Sequence, residues 1–291
     1  MGSSESHATA PTPLALLSAA EDAEKLVAAI AAHASVVVAY SGGVDSAVVA
    51  AAAVRALGPK AIAWTGIGPA VAESERESAR RLAAEIGIRH VEQPTRELDR
   101  PGYIQNGPDR CFHCKDTLYG TIRAWADAQG FDAILSGTNR DDLGDYRPGL
   151  QAADQWRVVA PLADLGIGKA RVRAIAEHWQ LSVSDKPASP CLASRVAYGQ
   201  SVTMERLKRI EAMEAWLIEQ GFHDVRARLH ADDLLRIELH PQAWSSLLQS
   251  NAAPSIVAHA QSLGFKYVTL ALGGRASGSM NRVLQSLPIL P

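Results

Sequence analysis

A strand–loop–helix pattern at residues 36–57 constrains the fold of this chain more than any other feature. The apolar run at 36–38 predicts a buried strand, and the alanine-rich stretch at 47–57 predicts a helix that ends at a Gly-Pro pair. Between them, residues 41–46 read Ser-Gly-Gly-Val-Asp-Ser. Glycines let a backbone turn tightly against a ligand, and the free N–H groups at a helix start favour an anion. The pattern therefore predicts a phosphate-binding loop.

Predicted strands and helices alternate along the following residues. The strands cover residues 36–38, 61–66, 89–94 and 132–136, and the helices cover 14–33, 47–57, 73–86, 111–130 and 168–181. Residues 100–109 and 141–160 carry no such pattern, and we expect them to be irregular. Alternation of this kind is typical of βαβ units around a parallel sheet. The sequence therefore predicts an α/β fold.

The character of the chain changes near residue 200. An amphipathic helix at 203–221 is followed by short alternating segments, "VRARLH", "LLRIELH" and "YVTLAL". We predict a disordered lead-in at 1–13, a parallel-sheet α/β domain at 14–200 and a smaller α+β domain at 201–291. The second domain is expected to contribute to substrate binding or oligomerisation.

Charge and hydropathy exclude several classes of protein. The chain has 29 Lys and Arg against 31 Asp and Glu, a net charge of −2, so it lacks the basic footprint of a nucleic-acid-binding protein. No apolar run approaches the ~18 residues that a membrane helix needs. The N-terminal residues lack the basic and apolar regions of a secretory signal. We expect a cytoplasmic protein with no nucleic-acid or membrane partner.

The glycine-rich loop lacks the spacing of a Walker A motif, and it resembles the PP-loop of the ATP pyrophosphatases. That resemblance implies that ATP is cleaved between its α- and β-phosphates and that Mg²⁺ is bound through Asp45. It also implies a set of ATP-binding residues: Ser41, Gly42, Gly43, Asp45, Ser46, Gly137 and Thr138. The last two lie in "SGTN", at the carboxyl end of the fourth predicted strand, where α/β sheets bind ligands.

Three further stretches narrow the resemblance from the ATP pyrophosphatases in general to a single family. Residues 137–149, 186–199 and 273–281 read "GTNRDDLGDYRPG", "KPASPCLASRVAYG" and "GGRASGSMN". Together they resemble the LarE family, ATP-dependent sulfur transferases of nickel-pincer nucleotide biosynthesis. The resemblance implies that a pyridinium biscarboxylic acid mononucleotide is adenylated on a carboxylate. A protein-borne sulfur then displaces AMP and leaves a thiocarboxylate.

Several residues acquire expected roles in that chemistry. Cys191 lies in a proline-flanked loop and is the predicted nucleophile, since a thiolate attacks an activated acyl group. Arg195, Arg226 and Arg228 are predicted to bind the phosphate and carboxylate of the substrate, and Glu238 is a further substrate-side candidate. A solvated strand face is the alternative for the arginines. Surface pairing is the alternative for Glu238.

A cluster of acidic residues follows the "SGTN" segment. Asp141, Asp142 and Asp145 are candidates for assisting Mg²⁺ or orienting the substrate. A plain surface turn is the alternative for this cluster.

The sequence contains three cysteines, and two of them form a C-x-x-C motif. An odd count argues against a disulfide framework and favours redox, metal or nucleophilic roles. Cys111 and Cys114 share one helical face, and with Cys191 they supply three ligands for a [4Fe–4S] cluster with one open iron. The LarE family occurs in two forms, one with a sacrificial cysteine and one with three cysteines that hold such a cluster. A redox dithiol, a sacrificial Cys191 and a zinc site are the alternatives.

Two other functions share parts of this sequence pattern. A tRNA-thiolating enzyme would share the PP-loop and the cysteines but should carry a basic surface. An amide-forming adenylating synthetase would not need the cysteines. The LarE resemblance further implies a homo-oligomer, with nickel-insertion and carboxylase enzymes of the same pathway as partners.

Overall fold

The computed structural model of the chain describes residues 13–144, 148–187, 189–249, 252–276 and 279–285. The predicted disordered lead-in lies, apart from its last residue, outside the described residues, and so does Asp145.

Helices and strands alternate in the first part of the chain, as predicted. The elements are α1 (Pro13–Ile30), β1 (Val36–Ala39), α2 (Val44–Leu57), β2 (Ala61–Ile67), α3 (Glu73–Ile86), β3 (Arg89–Pro94), α4 (Pro101–Gln105), α5 (Arg110–Gln129), β4 (Ala133–Leu135), α6 (Pro148–Gln155), α7 (Pro161–Asp164) and α8 (Lys169–His178). The remaining elements are α9 (Met204–Glu219), β5 (Arg226–Leu229), β6 (Leu234–Glu238), α10 (Trp244–Gln249), α11 (Ala252–Ser262), β7 (Tyr267–Leu270) and α12 (Arg282–Gln285).

Strands β1 to β4 form one parallel sheet in the order β3-β2-β1-β4. In the centre of this sheet, Val36 and Val38 of β1 pack into one core, and Val37 packs with Trp64 and Ile134 into another. Both faces of β1 are therefore covered, which explains its continuous apolar sequence. The arrangement confirms the predicted α/β fold.

Helix α2 is buried along most of its length. Its residues 47–53 are inaccessible to solvent, and five of these seven are alanines. Small side chains let the helix approach the sheet closely, with α1 and α8 packed against it. This packing fixes the start of α2 at the carboxyl end of β1.

A second, three-stranded sheet has the order β5-β6-β7. Strands β5 and β6 are antiparallel and β6 and β7 are parallel, with α9 packed against β5. The core of this sheet also contains Ala70 and Tyr103, which precede residue 200. The domain boundary near residue 200 stays a prediction.

Two segments expected to be irregular contain helices. Helix α4 lies within residues 100–109, and α6 and α7 lie within 141–160. All three begin with proline, which is pre-organised for the first helical position, and none exceeds eight residues. Such short helices give too few turns for an apolar period to be read. Helix α2 also begins three residues earlier than predicted, at Val44.

No helix within the described ranges is both long and apolar enough to cross a membrane.

Candidate active site

The glycine-rich loop connects β1 to α2 and is pressed against α3. Gly42 has a φ of 71°, a left-handed conformation that favours glycine. A Cβ atom at Gly42 would lie 2.8 Å from the Cβ of Ala79. Both the backbone conformation and the packing therefore require glycine at this position.

Two serines hold the loop in shape. The Ser46 hydroxyl donates to the carbonyl oxygen of Gly43 (3.0 Å) and accepts from the backbone N–H of Ser41 (3.2 Å). Gly43 is the N-cap of α2 and supplies no side-chain cap. The start of this 14-residue helix is thus left with N–H groups that suit an anion.

Asp45 lies in the first turn of α2, where its carboxylate accepts a 2.9 Å hydrogen bond from the Asn139 side chain. Burial raises the pKa of Asp45. The bond from Asn139 opposes this shift, and the nearby Asp142 adds to it. A carboxylate beside an anion site fits a shared Mg²⁺, because Mg²⁺ binds one or two carboxylates together with substrate phosphates.

The "SGTN" segment packs directly on the loop. A Cβ at Gly137 would lie 2.7 Å from the backbone nitrogen of Ser46, so this glycine permits the close approach of β4 to α2. Thr138 accepts a hydrogen bond from Ser136 (3.2 Å). Asn139 was missed by sequence reasoning as a partner of Asp45. Its N-cap pattern with Asp142 three residues later is a local signal, but it does not indicate the contact with Asp45.

The acidic residues after this segment have partners within the protein. Asp142 accepts from the backbone N–H of Asn139 (3.2 Å), and its other oxygen lies 3.3 Å from the ammonium of Lys169. Asp141 accepts from Arg140 and from the backbone of Lys169. These contacts join the segment to the start of α8, and an Mg²⁺ role for the two aspartates stays a prediction.

The three cysteines lie in one neighbourhood. Cys111 and Cys114 are in the first turns of α5, and Cys191 precedes a short 3₁₀ turn at Leu192–Arg195. Cys111 and Cys191 are exposed and Cys114 is half-buried. Burial, with smaller contributions from Cys191 and Glu97, raises the pKa of Cys114 to about 12. Among the described residues, no three His, Cys, Asp or Glu side chains are arranged to hold a single metal ion.

The loop that carries Cys191 is fixed by a buried arginine. The Arg195 guanidinium donates to the Cys191 carbonyl oxygen (3.0 Å) and pairs with Glu214 (3.0 Å). Glu214 also accepts from the backbone N–H of Ala227 on β5 (2.9 Å). The structure therefore places Arg195 beneath the loop, where it anchors Cys191. Its expected role in substrate binding stays a prediction.

A cleft of about 390 Å³ adjoins the Cys191 loop. The residues that line it are Arg110, Pro187, Pro190, Ser194, Val196, Tyr198, Arg226, Arg228, Arg275, Ala276, Ser279, Met280 and Asn281. Four of them are arginines, and none of the described lining residues carries a carboxylate. A concentration of cations in one concave site indicates an anionic ligand.

The predicted arginines of β5 both line this cleft but differ in their pairing. Arg228 donates to buried Glu238 (2.9 and 3.0 Å) and to the Ser194 carbonyl oxygen (3.1 Å). Arg226 donates only to the adjacent Val225 carbonyl oxygen (2.7 Å) within the described chain. Burial lowers the pKa of Arg226, and the neighbouring charge of Arg195 lowers it further. Of these two arginines, Arg226 therefore has fewer hydrogen-bond and ion-pair partners for its charge.

Glu238 organises the arginines. It is fully buried, and its second carboxylate oxygen lies 3.0 Å from Arg236 and accepts from Ser279 (2.8 Å). Sequence reasoning missed Arg110 and Arg275 as cleft residues. Arg110 directly precedes the C-x-x-C motif and Arg275 lies within "GGRASGSMN", and this position was the only available signal.

Comparison with known proteins defines the class. Residues 20–103, which span β1 to β3 and the glycine-rich loop, match the family model described as NAD synthase. Together with the four-stranded parallel sheet and the loop geometry, this match identifies an ATP-using enzyme of the PP-loop ATP pyrophosphatase class.

Longer matches identify the family. The uncharacterized protein slr1717 of Synechocystis sp. is 43% identical over 247 residues, which cover 85% of this chain and 92% of that protein. The pyridinium-3,5-bisthiocarboxylic acid mononucleotide synthase of Lactiplantibacillus plantarum is 35% identical over 261 residues, or 89% and 93% of the two chains. The tRNA-specific 2-thiouridylase MnmA of Thermobifida fusca is 32% identical over 191 residues, or only 53% and 52%. The chain belongs to the LarE family of ATP-dependent sulfur transferases.

Proposed function

We propose that this sulfur transferase acts on a pyridinium mononucleotide that carries two carboxylates and converts a carboxylate to a thiocarboxylate. The observation that carries the proposal is the position of Cys191. Its neighbours Pro190 and Ser194 form part of the wall of a cleft that also contains four arginines. The relative from Lactiplantibacillus plantarum is named for the corresponding thiocarboxylated nucleotide, and it matches nearly the whole chain.

Adenylation takes place at the glycine-rich loop. A carboxylate oxygen of the substrate attacks the α-phosphorus of ATP, the bond between that phosphorus and the bridging oxygen to the β-phosphate breaks, and pyrophosphate leaves. The departing pyrophosphate would be bound by the N–H groups at the start of α2 and by the hydroxyls of Ser41 and Ser46. Gly42 and Gly137 would keep the loop closely packed, and Thr138 would face the nucleotide.

Sulfur transfer takes place at Cys191. In the sacrificial route, the thiolate attacks the acyl carbon, the C–O bond to phosphate breaks and AMP leaves. The Cα proton is then lost and the Cβ–S bond breaks, so that the sulfur stays on the product and residue 191 becomes dehydroalanine. Arg226 and Arg228 would bind the anionic groups of the substrate, with Glu238 holding Arg228 in place.

Two cofactors fit the residues present. Asp45, beside the anion site, would hold Mg²⁺, which neutralises charge on the phosphates. Cys111, Cys114 and Cys191 would hold a [4Fe–4S] cluster, because two of them lie in the first turns of α5 and the Arg110 side chain joins that helix to the Cys191 loop. The ligands of a cluster sit on different irons, so they lie farther apart than the ligands of a single ion. Such a cluster, when bound, supplies a site for a replaceable sulfide.

The chemistry of the substrate and product implies partner enzymes. A carboxylase must supply the dicarboxylated nucleotide, and a nickel-insertion enzyme would consume the thiocarboxylated product. A homo-oligomer is also proposed.

The proposal is tested by incubating the protein anaerobically with ATP, Mg²⁺ and the dicarboxylated nucleotide. We expect AMP and pyrophosphate in equal amounts and a product in which oxygen is replaced by sulfur, measured by mass spectrometry. Cys191→Ala is the matched control for the sulfur step, and transfer RNA is the control substrate. Release of ADP and orthophosphate, or thiolation of the RNA alone, would overturn the proposal.

A further inference from the structure

Arg110 connects the two cysteine-bearing segments of the site. It is the first residue of α5 and is only 6% exposed. Its guanidinium donates to the Asn106 side-chain oxygen (2.6 Å) and to the Ala193 carbonyl oxygen (2.8 Å). Ala193 is two residues after Cys191, so one side chain links the start of the C-x-x-C helix to the Cys191 loop.

Asn106 extends this link to the residues that follow the loop. It is fully buried and has a φ of 56°, a conformation that Asn tolerates better than most residues. Its side-chain nitrogen donates to the carbonyl oxygens of Ala197 (2.8 Å) and Gln200 (2.9 Å), and its own carbonyl accepts from the Gly199 N–H (3.2 Å). The carbonyl oxygen of Ile104 accepts from Val202 (2.8 Å) in the same way.

Arg110 has an unusual set of partners for a buried charge. Within the described ranges its oxygen acceptors are a neutral amide and a carbonyl, the Cys111 side chain is a further hydrogen-bond partner, and no carboxylate pairs with it. The guanidinium also lines the arginine cleft, beside the loop that carries Cys191. A buried cation is costly unless its hydrogen bonds are satisfied, so the bonds to Asn106 and Ala193 hold the side chain in this position.

We infer that Arg110, held by Asn106, is a positioning residue that docks the Cys191 loop on α5. The docking brings Cys191 next to Cys111 at the rim of the substrate cleft. The inference rests on the proposed function, in which these thiols act on a substrate bound in that cleft.

The test measures how close the two thiols lie in the apoprotein. The parent carries Cys114→Ser, which leaves Cys111 and Cys191, and a short bismaleimide is added. Mass spectrometry gives the ratio of cross-linked protein to protein labelled once at each thiol, a ratio that largely cancels changes in thiol reactivity. Arg110→Gln should lower this ratio about tenfold, the effect of losing one charge-assisted hydrogen bond. Arg123→Gln, on the same helix, should leave it unchanged.

Arg123 is a suitable control because it also donates to a backbone carbonyl, that of Trp156 (3.2 Å), and is part-buried. An Arg110→Gln protein that melts at the parent temperature with an unchanged ratio would overturn the inference. If that variant fails to fold, Arg110→Lys decides. Both bonds come from one terminal nitrogen of the guanidinium, and the lysine side chain keeps the charge but ends short of that nitrogen. We therefore expect a ratio between that of the parent and that of protein denatured before labelling, and a parental ratio would refute the inference. A Cys111→Ala, Cys114→Ala protein that still transfers sulfur would contradict the cluster proposal alone and leave this cross-linking result intact.

Discussion

The phosphate loop and the arginine–cysteine cleft are built in opposite ways. The loop is a contiguous segment, residues 41–46, whose shape is set by its own glycines and serines and by two close neighbours, Ala79 and Gly137. The cleft is assembled from segments near residues 110, 191, 226 and 275, and its shape is set by buried charges. The loop is generic to a class of ATP-using enzymes. The cleft is where this chain would select its substrate, so variants should separate the two.

The largest expected effect is the separation of adenylation from sulfur transfer. Cys191→Ala should abolish the thiocarboxylate product, because the proposed nucleophile is gone, and exchange of labelled pyrophosphate into ATP should persist. Cys191 is exposed and its side chain forms no hydrogen bond within the described chain, so the fold should tolerate the change. Undiminished thiocarboxylate formation by Cys191→Ala would show that Cys191 is not the nucleophile, and full turnover of ATP to AMP with no thiocarboxylate from either protein would support the amide-forming alternative.

Asp45→Asn should have the opposite effect to Cys191→Ala: it should abolish adenylation and leave binding of the carboxylated substrate intact. Removing the carboxylate charge should reduce AMP formation to background, because Mg²⁺ would lose its proposed protein ligand. Affinity for the carboxylated nucleotide, measured calorimetrically without ATP, should stay near the parental value. Asp164→Asn, a change in α7 away from the loop, serves as the control. Full AMP formation by Asp45→Asn would show that the carboxylate is dispensable.

The two sites also differ in how far the sequence predicted them. The loop and its flanking strand were predicted because the pattern is local. The contact between Asp45 and Asn139 joins residues 94 apart, and it depends on β4 lying beside β1, which no local pattern specifies. The anchoring of Arg195 by Glu214 was missed for the same reason, since α9 and the Cys191 loop meet only in the folded chain.

Arg226→Gln should weaken substrate binding while leaving ATP binding nearly intact. Loss of one charged hydrogen-bond partner costs about 1.5–3 kcal/mol, roughly a 10- to 150-fold change in affinity. Arg228→Gln is less clean, since it also strips the buried Glu238 of a partner and should lower the melting temperature. Arg206→Gln, outside the cleft, is the control. Equal loss of ATP and substrate affinity in Arg226→Gln would mean that the two sites are not separate.

The smallest expected effect is a pH dependence of the free energy of unfolding, caused by His90 on β3. Burial, together with the charge of Arg80 and against that of Glu92, lowers the pKa of His90, whose ring nitrogen lies 2.8 Å from the Thr65 hydroxyl. His90 therefore binds a proton near pH 6.5 in the unfolded chain and only at a lower pH in the folded chain. Stability should fall as the pH drops below about 6.5, by at most ~1.4 kcal/mol per pH unit from this group.

Denaturant unfolding between pH 7 and pH 5 measures this slope, and His90→Gln should make it shallower. His230→Gln is the matched variant beside the cleft, because burial and Arg236 lower the pKa of His230 in the same direction. If neither variant changes the slope, the two histidines do not resist protonation in the folded chain.

The most direct test of the account follows the oxygen atoms of the substrate. The dicarboxylated nucleotide is prepared with ¹⁸O in its carboxylates and incubated with the wild-type protein, ATP and Mg²⁺. If a carboxylate oxygen attacks the α-phosphorus and sulfur then displaces AMP, each AMP released should carry one ¹⁸O atom in its phosphate. AMP free of ¹⁸O, formed alongside thiocarboxylate, would contradict activation of the carboxylate by adenylation.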